Sequence, residues 1–422
     1  MRLGLSSVAA LFIAWTSAIA QGGDLVLEHA RIYASPTATP IVDGTLFIRD
    51  GLIAAVGSRG SVRTPKGVAT LDLQGKVVTA GFWNSHVHLM TPKLLQASSR
   101  SGAELSDELQ RMLTQWGFTT VFDTASLLDN TNVIRQRVKA GEVLGPMILT
   151  VGDPFYPNGG TPFYVKRFLK DNGFPNEEIT SLPDAVLRVQ KQLSQGADGV
   201  KLFAGAIVGG NIGVLAMPLE QVRALAAPAH VAGKPVFSHP SNLDGLNVSI
   251  DGGVDILAHT TPMTGPWSPE LTARIRAHDM ALIPTLTLWE IEGKKFGEPD
   301  EYVRHDMDAA LQQVSAYSKS GGQILFGTDV GYTDVFDTTE EYRLLGRVLG
   351  WRQVLEALTV APTKRFGYEA HKGRIAKGLD ADLVVLGADP GVDIAAFAKI
   401  SMTFRAGKAI YNALDQSASG TH

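Results

Sequence analysis

The sequence predicts an α/β protein: a (β/α)8 TIM-type barrel with a small β-sandwich domain built from both termini. Three observations carry this. Both flanks of the chain are rich in short alternating β runs and turns. The middle alternates short apolar strands with amphipathic helices, the pattern of a parallel sheet closed by crossover connections. Finally, ionisable residues recur at the C-terminal ends of those apolar runs, where such barrels build their sites. The 422 residues leave room for a barrel of about 250 and a smaller companion domain. The division expected is 1–20 as a signal peptide, 21–76 with 366–415 as the β-sandwich, and 77–365 as the barrel.

The first twenty residues read as a secretory signal. Arg2 gives the positive start, Leu3 to Trp15 an apolar run, and Ala18-Ile19-Ala20 the small-x-small cleavage pattern. The run is shorter than the ~20 apolar residues of a membrane span. A secreted or periplasmic protein with no membrane attachment after signal removal is expected. Losing Arg2 leaves 37 basic against 42 acidic residues, a net charge of −5.

Asp24 to Leu73 follows as β structure, with Asp50-Gly51 as a hairpin turn between alternating runs. His29 belongs to this sheet with no catalytic duty. Val77 to Leu89 reads as the first barrel strand, ending in His86-x-His88. Residues two apart on a strand share a face, so both imidazoles reach one point. Glu104 to Trp116 has helical spacing, ended by Gly117, and Thr119–Asp123 is the second strand. Pro146–Val151 is the third, leading into a Gly/Pro-rich loop, Asp153 to Pro162, over the barrel mouth.

Leu182–Gln195 is a helix, and Gly199–Phe203 is the fourth strand, with Lys201 inside it. A buried ammonium is costly, so this lysine must be paired, neutral or modified. Lys234–His239 and Val254–His259 are strands five and six, and each ends in histidine. Met280–Thr285 is the seventh. Gln323–Asp329 is the eighth and ends in aspartate. Met307–Tyr317 and Trp351–Leu358 supply surrounding helices. Near the C-terminus, Gly373–Leu386 and Met402–Tyr411 return to strand and turn texture.

Composition narrows the chemistry. A formal net charge of −4 gives no nucleic-acid footprint. There is no cysteine, so a metal must be held by nitrogen and oxygen. No Gly-x-Ser-x-Gly elbow appears, which disfavours a serine hydrolase. Gly209-Gly210-Asn211-Ile212-Gly213 matches no phosphate loop and reads as a flexible rim. Trp267, Trp289, Tyr332 and Phe336 follow strands six to eight and are candidates for an apolar pocket. Of the ten histidines, His230, His278, His305, His371 and His422 read as structural or solvated.

The set Gly81–His88, Gly199–Lys201, Ser238-His239, Ala258-His259, Gly327–Asp329 and Gly378–Leu386 resembles the metal-dependent amidohydrolase superfamily. Within it, the chain is most similar to the imidazolonepropionase-like and prolidase-like branch. The resemblance implies two divalent metal ions, with zinc expected. His86, His88 and Asp329 would hold the first and His239 and His259 the second, with Lys201 bridging both as an N6-carboxylated side chain. It further implies a hydroxide shared by the metals as nucleophile and Asp329 as catalytic proton carrier. The expected activity is hydrolysis of linear C–N amide bonds in a small molecule such as an N-acyl amino acid or dipeptide. One alternative is opening of a cyclic amide at a mononuclear site with Lys201 unmodified. Another is a non-catalytic metal- or ligand-binding barrel. The sequence departs from relatives at two places: Thr161 follows Gly159-Gly160 where peptidase relatives carry histidine, and Asn242 stands where deaminases carry glutamate. The number of subunits stays open, a homo-oligomer included.

Overall fold

The computed structural model describes residues 23–174 and 178–413; the expected signal segment, 1–20, lies outside them. Both termini enter one eight-stranded sheet. Its order runs Lys408–Asn412, Ile400–Arg405, Leu383–Leu386, Val77–Ala80, Leu25–Tyr33, Ile41–Arg49 and Leu52–Ser58, with Ala69–Asp72 paired beside Leu25–Tyr33. The sheet curls: Ile53 N donates to Leu379 O at 2.8 Å and Leu52 bridges Asp380. Leu25, Ile32, Leu46, Val78, Leu383 and Phe404 pack inside that curl as a core of their own. A small β-sandwich built from both termini was expected; the strands of both termini do share one sheet, which folds over its own core.

The run Val77–Leu89, read as one strand, is two. Val77–Ala80 belongs to the terminal sheet, whereas Phe82–Val87 begins the parallel strands. Gly81 makes the crossing. A Cβ there would lie 2.2 Å from Thr119 Oγ1, so only glycine lets the two layers approach this closely.

The middle of the chain holds eight parallel strands in two hydrogen-bonded sets. One is Phe82–Val87, Phe118–Asp123 and Met147–Thr150. The other is Val200–Leu202, Val236–Ser238, Ile256–Ala258, Ala281–Ile283 and Gln323–Ile324. The sets meet through single bridges, Phe155 with Leu202 and Val87 with Val330. Trp83, Phe122, Leu149, Phe237, Ile256, Ile283 and Leu325 form an interior cluster. Phe366 caps it, stacked 5.8 Å from Trp83 and tilted against Phe122 at 4.9 Å.

The helices pack outside these strands. Gly102–Met112 starts at Ser101, whose side chain forms a reciprocal capping box with Glu104, and places Leu105, Leu109 and Met112 on one buried stripe. The expected mouth loop is more ordered than glycine and proline suggested. Tyr156–Pro157 pairs with Glu178–Ile179, and a helix, Phe163–Asn172, follows with no fully buried residue. The glycine-rich rim is the turn of a hairpin, Gly205–Gly209 with Gly213–Ala216. No helix among the described residues is long and apolar enough to cross a membrane.

Candidate metal centre

The six singled-out residues all line one cavity of about 930 Å3 at the C-terminal ends of the parallel strands. All six are buried. His86, His88, His239, His259 and Asp329 are brought together; Lys201 faces the same space. Asp329 Oδ1 lies 2.7 Å from His88 Nε2 and 3.2 Å from His86 Nε2. The His259 ring centroid is 4.6 Å from those of both His86 and His239. Donor atoms of His86, His259 and Asp329 lie within 4.8 Å of one another.

Neighbouring backbone and hydroxyl groups fix which nitrogen of two rings faces the centre. His88 Nδ1 sits 2.7 Å from Ala125 O, which can only accept, so Nδ1 carries the proton. Thr285 Oγ1 donates to Pro284 O at 2.8 Å and lies 2.7 Å from His259 Nδ1. That hydroxyl therefore accepts from His259. In both rings Nε2 is left with its lone pair, the arrangement outer partners give to metal-binding imidazoles. Asn84 extends the support: its Nδ2 donates to Thr328 Oγ1 at 2.7 Å and its Oδ1 accepts from His86 N at 3.2 Å.

These lone pairs converge on a carboxylate, which is repulsive unless a positive charge lies between them. Asp329 Oδ1 and His86 Nδ1 are buried and make no hydrogen bond of acceptable geometry among the described residues. Such orphaned donor atoms call for a missing partner, and the N/O donor set fits a divalent transition metal. Backbone geometry agrees. Asp329 (φ 61°), Thr285 (φ 45°) and His259 (φ 142°) all hold positive φ, a cost that clusters at functional sites.

Electrostatics favour the neutral ring at three of the four histidines. Burial lowers His86 and His239 to about 3 and pushes His259 well down. At His88 burial acts the same way, but the Asp329 carboxylate and Ala125 carbonyl outweigh it and raise the pKa. Burial would raise Asp329, yet His86 and His88 hold it well below the carboxylate range. Burial lowers Lys201 to about 7. Among the described residues its ammonium has no hydrogen bond or ion pair; Phe203 lies 5.6 Å away, stacked on His239.

Other expectations divide. Trp289 and Tyr332 line the cavity; Trp267 instead packs on Tyr317, and Phe336 lies under Arg111. Thr161 is buried, and its hydroxyl donates to Glu178 at 2.7 Å, so it ties the mouth loop to the next strand. Asn242 caps the helix Leu243–Gly252. His29 pairs with Asp72 and His230 with Asp255. The sequence reading missed Asp123, wholly buried near His88. It collects Leu89 N, Thr131 Oγ1 and Thr150 Oγ1, and its place as the last residue of the second strand was the available signal.

Comparison with known proteins agrees with this geometry. The chain is similar to an uncharacterized protein of Mycobacterium tuberculosis, 30% identical over 225 residues, 51% of this chain and 54% of that protein. The chain thus spans about half the length of the first curated relatives it matches. It is also similar to the dihydroorotase of Anaeromyxobacter sp. strain K, 24% identical over 86% of this chain and 88% of that one. Among solved structures it superposes on a "putative prolidase" from Bifidobacterium longum with TM-score 0.77, 26% identity and coverage of 92% and 95%. The model of the amidohydrolase family matches residues 77–410, from the last terminal-sheet strand before the site to the end of the fold. The chain belongs to the amidohydrolase family.

Proposed function

We propose that this protein is a metal-dependent hydrolase of linear C–N amide bonds in small molecules such as N-acyl amino acids or dipeptides. One observation carries the reading: a buried carboxylate oxygen lies 2.7 and 3.2 Å from two imidazole nitrogens with no hydrogen bond of acceptable geometry to either. His86, His88 and Asp329 would hold one divalent ion and His239 and His259 a second, with zinc the expected metal. An N6-carboxylated Lys201 would join them, which gives this partnerless lysine a role and turns a buried cation into an anion between two cations. We also take the eight strands to close into a (β/α)8 barrel, and the protein to be exported after cleavage before Gln21.

Bound divalent ions supply Lewis acidity, polarising a carbonyl and lowering the pKa of water. The chain's own residues supply the rest. Asp329, kept ionised by its neighbours, accepts a proton from the attacking water at its carboxylate and returns it to the departing amine. Thr285 and the Ala125 carbonyl hold the His259 and His88 rings in register. The buried setting excludes bulk water, which strengthens each of these interactions.

The test is elemental analysis combined with turnover of N-acyl amino acids and dipeptides by metal-loaded protein. About two equivalents of metal and hydrolysis of linear amides support the reading; a metal-free protein inert on both overturns it. The match to a dihydroorotase over most of the chain favours a second reading, cyclic amide hydrolysis. One metal equivalent and turnover of cyclic amides alone would select it.

A further inference from the structure

We infer that the cavity carries a subsite for an aromatic or extended apolar group of the substrate, walled by rings that run from the metal centre to the mouth. This inference deepens the amide-hydrolase reading and rests on it for the reaction. Next to the centre, Phe203 stacks on His239 at 4.9 Å and Trp289 lies edge-on to His259 at 6.2 Å. Further out, Tyr164 meets Tyr332 at 5.3 Å and Phe163 meets Phe296 at 5.6 Å. All six line the cavity.

The helix Phe163–Asn172 builds the outer wall. It buries no residue fully, and Phe163 and Phe296 remain more than two-fifths exposed. Apolar groups in this position gain free energy only when something apolar covers them.

The charges beside Tyr332 are already spent on one another. Tyr332 donates to Glu292 at 2.8 Å, and Lys295 lies 3.4 Å from both Glu292 and the Tyr332 hydroxyl. The Lys295 ammonium also sits 4.7 Å from the Tyr332 ring. Arg188 and Lys191 also line the cavity, but a charged substrate group placed against Glu292, Lys295 and Tyr332 would have to break that cluster. An uncharged ring stacks on it without loss. Apolar pockets discriminate by roughly 10–200-fold per methylene, so a phenyl group in place of methyl should be read clearly.

The experiment uses the metal-loaded full-length protein and two measurements. In the first, amides matched except for phenyl against methyl, in the acyl half or in the amine half, are compared by kcat/KM. In the second, 3-phenylpropionate and propionate are compared by calorimetry, which reads the pocket without any turnover. We expect the phenyl member to win by at least roughly tenfold in one amide pair and in binding. In Phe296→Ala and Phe163→Ala that ratio should fall toward one. A loss of folded protein lowers both members and leaves the ratio unchanged. Tighter binding of phenylpropionate with no amide turnover would refute the hydrolase reading and keep the subsite. Equal affinity for the two acids, or ratios untouched in both variants, overturns the subsite whatever the turnover shows.

Discussion

Lys201 and Lys372 are the two buried lysines among the described residues, and they are held in opposite ways. Lys372 lies beside the terminal sheet, its ammonium 2.8 Å from Asp380 and 2.5 Å from Asp382. Burial alone would lower its pKa, but those carboxylates outweigh it and raise it. Lys201 lies at the C-terminal ends of the parallel strands with no such partner, and burial brings it down to about 7. Where the fold needs only stability, a buried charge is neutralised by its neighbours. Where donor atoms are left unpaired, the same cost is tolerated, which marks the place where a further group completes the structure.

The contrast between the two regions breaks most visibly at Asp329. Asp329→Asn keeps the shape but cannot accept a proton, so turnover of an unactivated amide should fall about 10²–10⁴-fold with most of the metal retained. Activated anilides should lose less, because their amine leaves without help. Near-normal turnover by metal-replete variant protein would reduce Asp329 to a ligand.

Next in size is Lys372→Met. It leaves the buried Asp382 carboxylate without its cation, and removing one member of a buried pair costs about 3–5 kcal/mol. Chemical denaturation reads this directly. Adding Asp382→Asn should recover part of the loss, and a fully stable Lys372→Met would show that the pair does not matter.

A smaller effect is expected at Thr285. Thr285→Val removes the acceptor that orients His259, and losses of such outer partners lower metal affinity about 10–100-fold. Competition with a chelator measures it; unchanged affinity would mean that the ring is held by packing alone.

The smallest effect concerns Glu341, whose carboxylate accepts from Leu286 N, Thr287 N and Thr287 Oγ1 at the start of the helix carrying Trp289. Burial raises its pKa to about 7. A carboxyl raised on folding binds more protons folded than unfolded, so its contribution is present below about 4.5 and fades as pH rises through about 7. Thermal stability should therefore decline across that window, and Glu341→Gln should flatten the decline. An identical slope in both proteins would remove Glu341 as its source.

The candidate site was legible because its residues are chemically out of place. Histidines, a lysine and an aspartate at the ends of apolar runs are costly to bury, and the proposed shared ligation of a metal would offset that cost for all of them at once. The residues that orient them were not legible. A carbonyl such as that of Ala125 exists at every position, and Thr285 looks like any strand-end threonine. The break at Gly81 was hidden because apolar residues continue on both sides of it. The pairing of Lys372 with Asp382 escaped notice because a lysine in a polar stretch normally faces water. The helix Phe163–Asn172 was obscured by the glycines and prolines just before it, although Phe163, Tyr164, Phe168 and Leu169 have helical spacing.

Metal content should be measured side by side in three purified proteins: wild type, Lys201→Met and Lys372→Met. If Lys201 completes the metal centre, wild type holds about two equivalents and Lys201→Met loses most metal and activity, with its metal-free fold at least as stable as wild type. Folded Lys372→Met should keep its metal while losing stability. Full metal content and activity in Lys201→Met would refute this assignment, because Lys201 would then be a buried lysine with no part in the centre.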